Sequence, residues 1–491
     1  MKESTTHRSL VFAALLLAMF MSAIESTIVA TALPSIAAEL GGFSLYSWVF
    51  SSYLLMQAVT IPMFGKLSDV IGRKPVFIGG VIVFLAGSVL CGFATTMVML
   101  VAFRFLQGLG AGAVQPVITT LAADLYPLEE RGRIQGYISG LWGVSSIVGP
   151  LAGGLIVHSI GWPWIFWINI PFGIAAVAMI AVYLHETVEH QARRRIDYPG
   201  AILLLVGVGC LMLGLTQAST WGWTNVAPLF AVFVAALAAF VWQERRAPDP
   251  LMHLELWRHP LIGYANVATL TSGIMMIGLI TFLPTYVQGV LGGSALLAGF
   301  ALSAMTLGWP LAAYQAGRSI LSVGVPRLVR AGGVCLLAGS LIIAVLAPRG
   351  ALPAGIGSFI IGVGMGLTNS TSLVAIQSSV AWRQRGVATA SNMLMRILGN
   401  ALGAALFGGV LNFQMARYLG REGLEGRVSM DSIQDLMSEA APRAAQLNTT
   451  VLALLRTGLA ESLHVVFWGI AILGLVTLLA VWRIPELRRA E

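Results

Sequence analysis

Long apolar stretches recur along this chain, separated by short segments that carry most of its charged residues. A helix needs about 20 consecutive apolar residues to cross the hydrocarbon core of a bilayer. In that core every backbone polar group needs an internal partner, so such stretches must be helical. Fourteen stretches qualify, at residues 10–33, 46–66, 75–95, 98–122, 134–157, 163–184, 198–218, 226–243, 261–288, 295–315, 328–347, 352–375, 387–413 and 462–482. The pattern predicts an all-α membrane protein with fourteen spans.

Composition supports the membrane interpretation. Of the 491 residues, 57% are hydrophobic and only 10% are charged, whereas a soluble protein carries about 25% charged residues. A soluble enzyme and a disordered chain are therefore excluded. The cysteines Cys91, Cys210 and Cys335 stand singly in apolar stretches, without the spacing of a disulfide or a metal site. No metal, cofactor or phosphate-binding motif is implied.

The positive charges predict the orientation. Most of the 29 Lys and Arg residues fall in the N-terminal segment and in alternate connections between spans. Such connections face the cytoplasm. We therefore expect a multi-pass protein of the cytoplasmic (inner) membrane with both termini in the cytoplasm. The net charge of +8 reports this topology and does not indicate nucleic-acid binding.

The two ends of the chain contain an internal repeat. Three matches occur in one order at nearly one offset: Gly65–Gly72 with Gly317–Gly324, Gly108–Gly112 with Gly362–Gly366, and Arg131-Gly132 with Arg385-Gly386. Two parallel six-span halves around a site at the membrane midplane are typical of transporters. We therefore predict a six-helix bundle at residues 1–190, two inserted linker helices at 191–258, and a second six-helix bundle at 259–491. An external loop at 414–460 is expected within the second bundle.

Four motifs give the chain a family resemblance. They are the stretches Ile24–Pro34, Gly65–Lys74, Arg104–Gly110 and Gly140–Gly154. Together they resemble the major facilitator superfamily. The first resembles the first-span motif of its fourteen-span drug/proton antiporters, and the last resembles the fifth-span antiporter motif of its drug exporters. That family usually carries Asp where this chain has Glu25. The resemblance implies the major facilitator fold, proton antiport and drug export.

Glu25 is the candidate proton carrier. It lies about fifteen residues into the first span, where a charged carboxylate is costly. Such a group can be neutral when enclosed and ionised when wet, which a proton carrier requires. The alternatives are a permanent pairing with an arginine and a position near the span's mouth. The resemblance implies that proton and substrate compete at Glu25 and that Arg104 influences the proton transfer. A structural anchor is the alternative for Arg104, because a guanidinium keeps its proton.

Two further groups are candidate gating elements. Asp69 and Arg73 are four residues apart in a predicted cytoplasmic loop framed by Gly65 and Gly72, and Asp124 ends the fourth span on the same side. A charge cluster that forms and separates biases a two-state equilibrium, and the resemblance implies a latch of the outward-open state. The alternative is a role in solubility and topology.

In the fifth span, Gly149 and Pro150 predict a bent, closely packed helix. The alternative is a kink that is unrelated to transport.

The substrate cavity has candidates but no defined site. Polar or aromatic residues within spans could line it, namely Gln57, Gln115, Trp142, Asn266, Tyr286, Asn369, Asn392, Arg396 and Asn400. Flexible methionines would suit apolar ligands of many shapes, although most of them should face lipid or core. In loop 414–460, Asp431 and Gln434 resemble a capping box that opens a short amphipathic helix.

These features predict a transporter that performs no covalent chemistry. We expect proton-coupled export of lipophilic small molecules or drugs by alternating access, from a protein that is monomeric and embedded in lipid. The alternatives are a dedicated exporter of a lipid or envelope precursor with the same coupling and a nutrient importer. A membrane-embedded enzyme would need clustered nucleophiles at one depth, and the spans show none. The sequence leaves open whether an envelope-spanning adaptor protein takes part.

Overall fold

The computed structural model of the protein describes residues 6–41, 45–186, 197–252, 254–422 and 449–485. These residues form helices and short connections, and no strand occurs among them. The α-helices are α1 (Arg8–Leu40), α2 (Tyr46–Ile71), α3 (Arg73–Gly92), α4 (Met97–Leu125), α5 (Leu128–Ser159), α6 (Trp164–Trp167), α7 (Asn169–Tyr183), α8 (Tyr198–Trp221), α9 (Trp223–Glu244), α10 (Leu254–Arg258), α11 (Pro260–Thr285), α12 (Ala295–Val323), α13 (Val325–Leu346), α14 (Ala351–Met365), α15 (Thr371–Ser379), α16 (Arg385–Arg421) and α17 (Thr449–Trp482). Two π-helical segments, Tyr286–Val290 and Gly366–Ser370, continue α11 and α14.

The helices confirm the predicted membrane architecture. Thirteen helical stretches in the described part of the chain are long and apolar enough to cross a membrane. The number rises to as many as 14 when the bent pair Leu128–Ser146 and Leu151–Ser159 counts as one span. The all-α fold class with fourteen spans therefore holds.

Several helices are longer than the apolar stretches that predicted them. α2 continues to Ile71, so Gly65 and Asp69 lie in its last turns and not in a loop as predicted. α16 continues to Arg421 and α17 begins at Thr449, so helices occupy both ends of the segment predicted as an external loop. The predicted capping box in that loop lies outside the described residues.

Two glycines show the repeat in the backbone. Gly72 separates α2 from α3 with φ 101°, and Gly324 separates α12 from α13 with φ 88°. These are equivalent positions of the sequence repeat. Only glycine adopts such positive φ values without a steric penalty, so the same sharp break is encoded once in each half.

The chain divides into two compact units. The first comprises Met1–Asn266, Gly317–Leu321 and Ser372–Met395, and the second comprises the remaining residues. Buried aromatic residues such as Phe77, Phe84 and Phe166 pack in the first unit. Phe407 and Phe467 pack in the second. A short stretch of α12, nearly all of α15 and the first part of α16 thus belong to the first unit. The predicted boundary between the six-span halves stays a prediction.

Candidate functional site

A buried ion pair lies in the first unit. Glu25 is on α1 and Arg104 is on α4, and Arg104 Nη1 donates a hydrogen bond to Glu25 Oε1 at 2.5 Å. Neither side chain exposes any surface. Of the alternatives that the sequence left open for Glu25, this conformation shows the carboxylate paired with an arginine.

Neutral polar side chains surround this ion pair. Asn169 Nδ2 donates to the second carboxylate oxygen, Glu25 Oε2, at 2.5 Å. Gln107 Oε1 accepts from Arg104 Nη1 at 2.7 Å. Ser88 Oγ accepts from both amides, at 3.2 Å from Gln107 and 3.1 Å from Asn169. Buried ions cost several kcal/mol each unless additional hydrogen bonds satisfy them, and this shell supplies those bonds.

Arg104 keeps one hydrogen-bond donor unused. Its Nε donates to Val49 O at 3.0 Å, and its guanidinium lies 4.3 Å from the ring centre of Tyr53. Its Nη2 is buried and has no hydrogen-bond partner in the described part of the chain. Since the guanidinium stays charged, neutralising Glu25 would deprive it of its main partner. Protonation of the acid can therefore drive a rearrangement of the arginine.

A second charged site, here called the charge cluster, consists of Asp69, Arg73, Asp124 and Arg385. Arg73 lies at the centre of the cluster and is fully buried. It donates to Asp69 Oδ1 at 2.8 Å and to Asp124 Oδ2 at 3.0 Å. The structure thus brings together the three residues that the sequence proposed as a gate. Arg73 also donates to Ser68 O at 3.1 Å, so most of its donors are satisfied.

The second repeat supplies the other side of the charge cluster. Asp69 accepts hydrogen bonds from the backbone N–H groups of Gly386 and Val387, at 3.1 and 3.0 Å. These groups lie in the first turn of α16, where unpaired N–H groups and the helix dipole attract an anion. Arg385 Nη1 donates to Asp124 Oδ1 at 2.8 Å.

Trp382 covers the charge cluster from the segment just before α16. Its ring centre lies 3.9 Å from the Arg73 guanidinium carbon, and its carbonyl accepts from Arg73 Nη2 at 3.0 Å. Arg73 is therefore tied to the second repeat by both a stacking contact and a hydrogen bond.

Near the charge cluster, helices also cross at glycine residues, where their backbones come into close contact. A Cβ atom on Gly65 would meet Ala390 Cβ and the Gly386 carbonyl, and a Cβ atom on Gly132 would fall on the backbone of Gly317. The repeat relates Gly65 to Gly317 and Gly132 to Gly386. The two crossings are therefore the same contact with the partners exchanged, as a pseudo-twofold relation requires.

The predicted bend in the fifth span lies at Gly149 and Pro150. α5 bends by 44° between the segments ending at Ser146 and starting at Leu151. Gly149 is buried against α1, where an added Cβ would meet Thr27 Oγ1. That hydroxyl donates to Ser145 O at 3.0 Å.

Comparison with known proteins places this geometry in a family. A model of the Major Facilitator Superfamily matches residues 15–404. The chain belongs to the major facilitator superfamily. It is 37% identical over 400 residues to multidrug resistance protein 3 of Bacillus subtilis (strain 168), covering 81% of this chain and 78% of that relative. It is 31% identical over 487 residues to multidrug transporter protein MdtP of the same organism, covering 94% and 90%.

The solved structures agree on the fold. The crystal structure of the human organic anion transporter MFSD10 (TETRAN) superposes with a TM-score of 0.66, covering 97% of this chain and 99% of that one. The sequence identity is 15%, so this likeness shows the shared fold alone. The chain is therefore a multi-pass membrane protein with the major facilitator fold.

The candidate cavity residues of this superfamily member fall in both units. In the first unit, Gln115 donates to Ser22 Oγ at 3.3 Å and Asn392 donates to Asn266 Oδ1 at 2.9 Å. Gln57 is buried in α2, and Trp142 packs partly buried against the core of the same unit.

The remaining cavity candidates lie in the second unit. Tyr286 is buried in its apolar core, with its ring 5.3 Å from that of Phe467. Asn369 accepts from Ser272 Oγ at 3.0 Å within a π-helical segment, a feature often found at functional sites. On α16, Arg396 and Asn400 are one helical turn apart and therefore share a face.

Sequence reasoning missed several residues of both sites. Asn169 and Gln107 sit in apolar helices, and their intramembrane amides were a usable signal. Arg385 is the repeat mate of Arg131, which marked its position but not its partner. Glu186 follows α7 and accepts from the backbone N–H groups of Arg73 and Lys74, at 2.9 and 2.8 Å. Nothing in its local sequence indicated that it caps α3.

Proposed function

We propose that the protein exports lipophilic small molecules or drugs across the cytoplasmic membrane by proton antiport and alternating access. Both termini and the charge cluster would face the cytoplasm, in line with the distribution of Lys and Arg. The observation that carries the proposal is the pairing of Glu25 with Arg104 in a fully buried, hydrogen-bonded site. Relatives over most of the chain bear the names of multidrug transporters, which supports the substrate class.

Coupling between proton and substrate would depend on whether the Glu25 carboxylate is paired with Arg104 or carries a proton. In the conformation described, the carboxylate faces Arg104. A proton arriving from outside would bind a carboxylate oxygen and cancel the attraction between the two side chains. Arg104 would then turn toward other acceptors, and loss of the proton to the cytoplasm would restore the pair. Each cycle would carry a proton from the outside to the cytoplasm in exchange for substrate, which leaves to the outside when the proton binds.

The charge cluster would set the equilibrium between the two conformations. Its contacts hold α2 and α4 to the start of α16, and these contacts must break for the cytoplasmic ends to separate. A ligand or a proton shifts such an equilibrium only by binding the two states with different affinity. Glu25 provides this difference for the proton, because it can be buried and paired in one state and wet in the other.

The test is the Glu25→Gln variant in proteoliposomes with an imposed pH gradient. Glutamine keeps the size of the side chain and an acceptor for Arg104 but cannot take up a proton. We expect loss of gradient-driven drug transport and of substrate-induced proton release, with the protein still folded. The matched control is Glu39→Gln on the same helix, where the exposed carboxylate accepts from Trp162 Nε1 at 2.9 Å. Gradient-driven transport by Glu25→Gln at the wild-type rate would contradict the proposal.

A further inference from the structure

Two buried carboxyl groups lie where the inserted helices α8 and α9 come together. Asp197 directly precedes α8 and Glu244 is the last residue of α9, and they expose only 7% and 4% of their surface. A Cβ atom on Gly200 would lie 2.6 Å from Asp197 Oδ2 and 3.0 Å from Glu244 Oε1. Both carboxyl groups therefore crowd the same small space beside Gly200.

The hydrogen bonds leave one oxygen of this pair without a donor. Asp197 Oδ1 accepts from Gly200 N and from Gln243 Nε2, both at 3.0 Å. Glu244 Oε1 and Oε2 accept from the backbone N–H groups of Leu251 and Met252, at 3.1 and 2.9 Å. Asp197 Oδ2 is buried and has no partner among the described residues. Buried carboxylate oxygens without a donor are rare and need an explanation.

Among the described residues, no positively charged side chain donates to Asp197 Oδ2. Lys66 on α2 is buried nearby and attracts the Glu244 carboxylate, and its Nζ donates to Pro250 O at 2.6 Å and lies 3.9 Å from Asp249 Oδ1. Neither Asp197 nor Glu244 forms an ion pair within the described part of the chain. Arg246 stacks on the Trp242 ring at 4.1 Å. Two carboxylates buried beside the same glycine would repel each other in a dry environment.

We propose that Asp197 and Glu244 share one proton, and that this second protonation site clasps the inserted hairpin against α2. The proton would lie between Asp197 Oδ2 and Glu244 Oε1, giving the orphaned oxygen its partner and removing the repulsion. The clasp is distinct from Glu25 and does not depend on the direction of transport.

The clasp connects the linker of the two halves to the charge cluster. Glu244 fixes the backbone at Leu251 and Met252, and Lys66 fixes the adjacent carbonyl of Pro250. Lys66 is one helical turn from Asp69 on α2. Release of the shared proton would loosen the chain segment that leads into α11 and weaken its attachment beside the charge cluster.

The sign of the pH dependence follows from linkage. A folded state that holds a proton which the unfolded chain gives up loses stability as pH rises. Asp197→Asn mimics the protonated carboxyl without being titratable, so its stability should not share that loss. The Tm of the wild type should therefore fall below that of Asp197→Asn as pH rises and approach it as pH falls.

The experiment combines thermal unfolding with infrared spectroscopy of the full-length protein in nanodiscs. Tm is measured between about pH 5 and pH 9 for the wild type, Asp197→Asn and Glu244→Gln, with Asp249→Asn as the control acid on the same segment. The infrared C=O stretch of a protonated carboxyl should be present in the wild type. Either single substitution at the pair should remove the band of the shared proton, whereas Asp249→Asn should keep it.

Three results would overturn the clasp. One is a difference in Tm between the wild type and Asp197→Asn that does not change with pH. Another is an infrared band that both substitutions leave unaffected or, where a variant fails to fold, the absence of a protonated-carboxyl band from the folded wild type. The third is a Tm that rises with Na⁺ at fixed pH and ionic strength, which would assign the site to a metal cation.

Discussion

The substitution Asp124→Asn should weaken the charge cluster while leaving some of its contacts in place. The Asp124 carboxylate bridges two arginines, accepting from Arg73 Nε at 3.0 Å and from Arg385 Nη1 at 2.8 Å. The side chains of all three residues are mostly shielded, with 12% of Asp124 and 19% of Arg385 exposed. Asparagine keeps one acceptor oxygen but removes the charge that holds the two guanidinium groups together.

The size of the effect follows from these contacts. A hydrogen bond to a charged group contributes about 1.5–3 kcal/mol, and asparagine can retain one of the two as a weaker neutral bond. Arg73 still keeps Asp69 as a partner, so its own charge stays compensated. We expect a net loss of about 1.5–3 kcal/mol from the closed state. Since 1.4 kcal/mol is a factor of ten, the open fraction should rise by about 10- to 150-fold.

Cysteine accessibility measures this fraction directly. The reporter is Val387→Cys, a buried position in the first turn of α16, in a background that lacks the three native cysteines. When opening and closing are fast, the rate of maleimide labelling follows the open population. Asp124→Asn should accelerate labelling by the factor given above, while Glu130→Gln, an exposed acid near the same helix end, should not. Equal labelling rates for Asp124→Asn and its parent would refute the latch.

Two further substitutions test the packing and the buried pair. Gly132→Ala places a methyl group on the Gly317 backbone and should cost about 1–3 kcal/mol, seen as a lower Tm. Gly154→Ala on the same helix has no neighbour within 4 Å and should leave Tm unchanged, so equal Tm values for the two would contradict the crossing. Asn169→Ala leaves Glu25 short of a hydrogen bond and should cost about 1–3 kcal/mol; an unaltered Tm together with unaltered gradient-driven transport would contradict that role.

The sequence predicted the spans well and the span ends poorly. Hydrophobicity within the bilayer leaves helix as the only choice, so fourteen apolar stretches were enough for the fold class. At their ends the helices continue through polar residues, as α2 does through Lys66 and Asp69 to Ile71. The apolar stretch ends at the first charged residue, whereas the helix ends at Gly72, where a positive φ turns the backbone.

One half of the charge cluster was visible in the sequence and the other was not. Asp69 and Arg73 are four residues apart in the sequence, on the two sides of the Gly72 break, so the sequence showed that they are close neighbours. The repeat showed that Gly386 is equivalent to Gly132. It did not show that Gly386 would lie against Gly65, because a repeat relates positions without saying which of them touch. The part of α16 that completes the cluster could therefore be found only in the fold.

The buried ion pair, in contrast, left a trace in the repeat that sequence reasoning could have used. Equivalent positions in the second half hold Ile277 in place of Glu25 and Ser358 in place of Arg104. Removing one member of a buried pair leaves an uncompensated charge that costs about 3–5 kcal/mol, whereas losing both together is tolerable. Two charges that are both present in one repeat and both absent from the other are therefore expected to be partners. The 2.5 Å bond between Glu25 and Arg104 agrees with that reasoning.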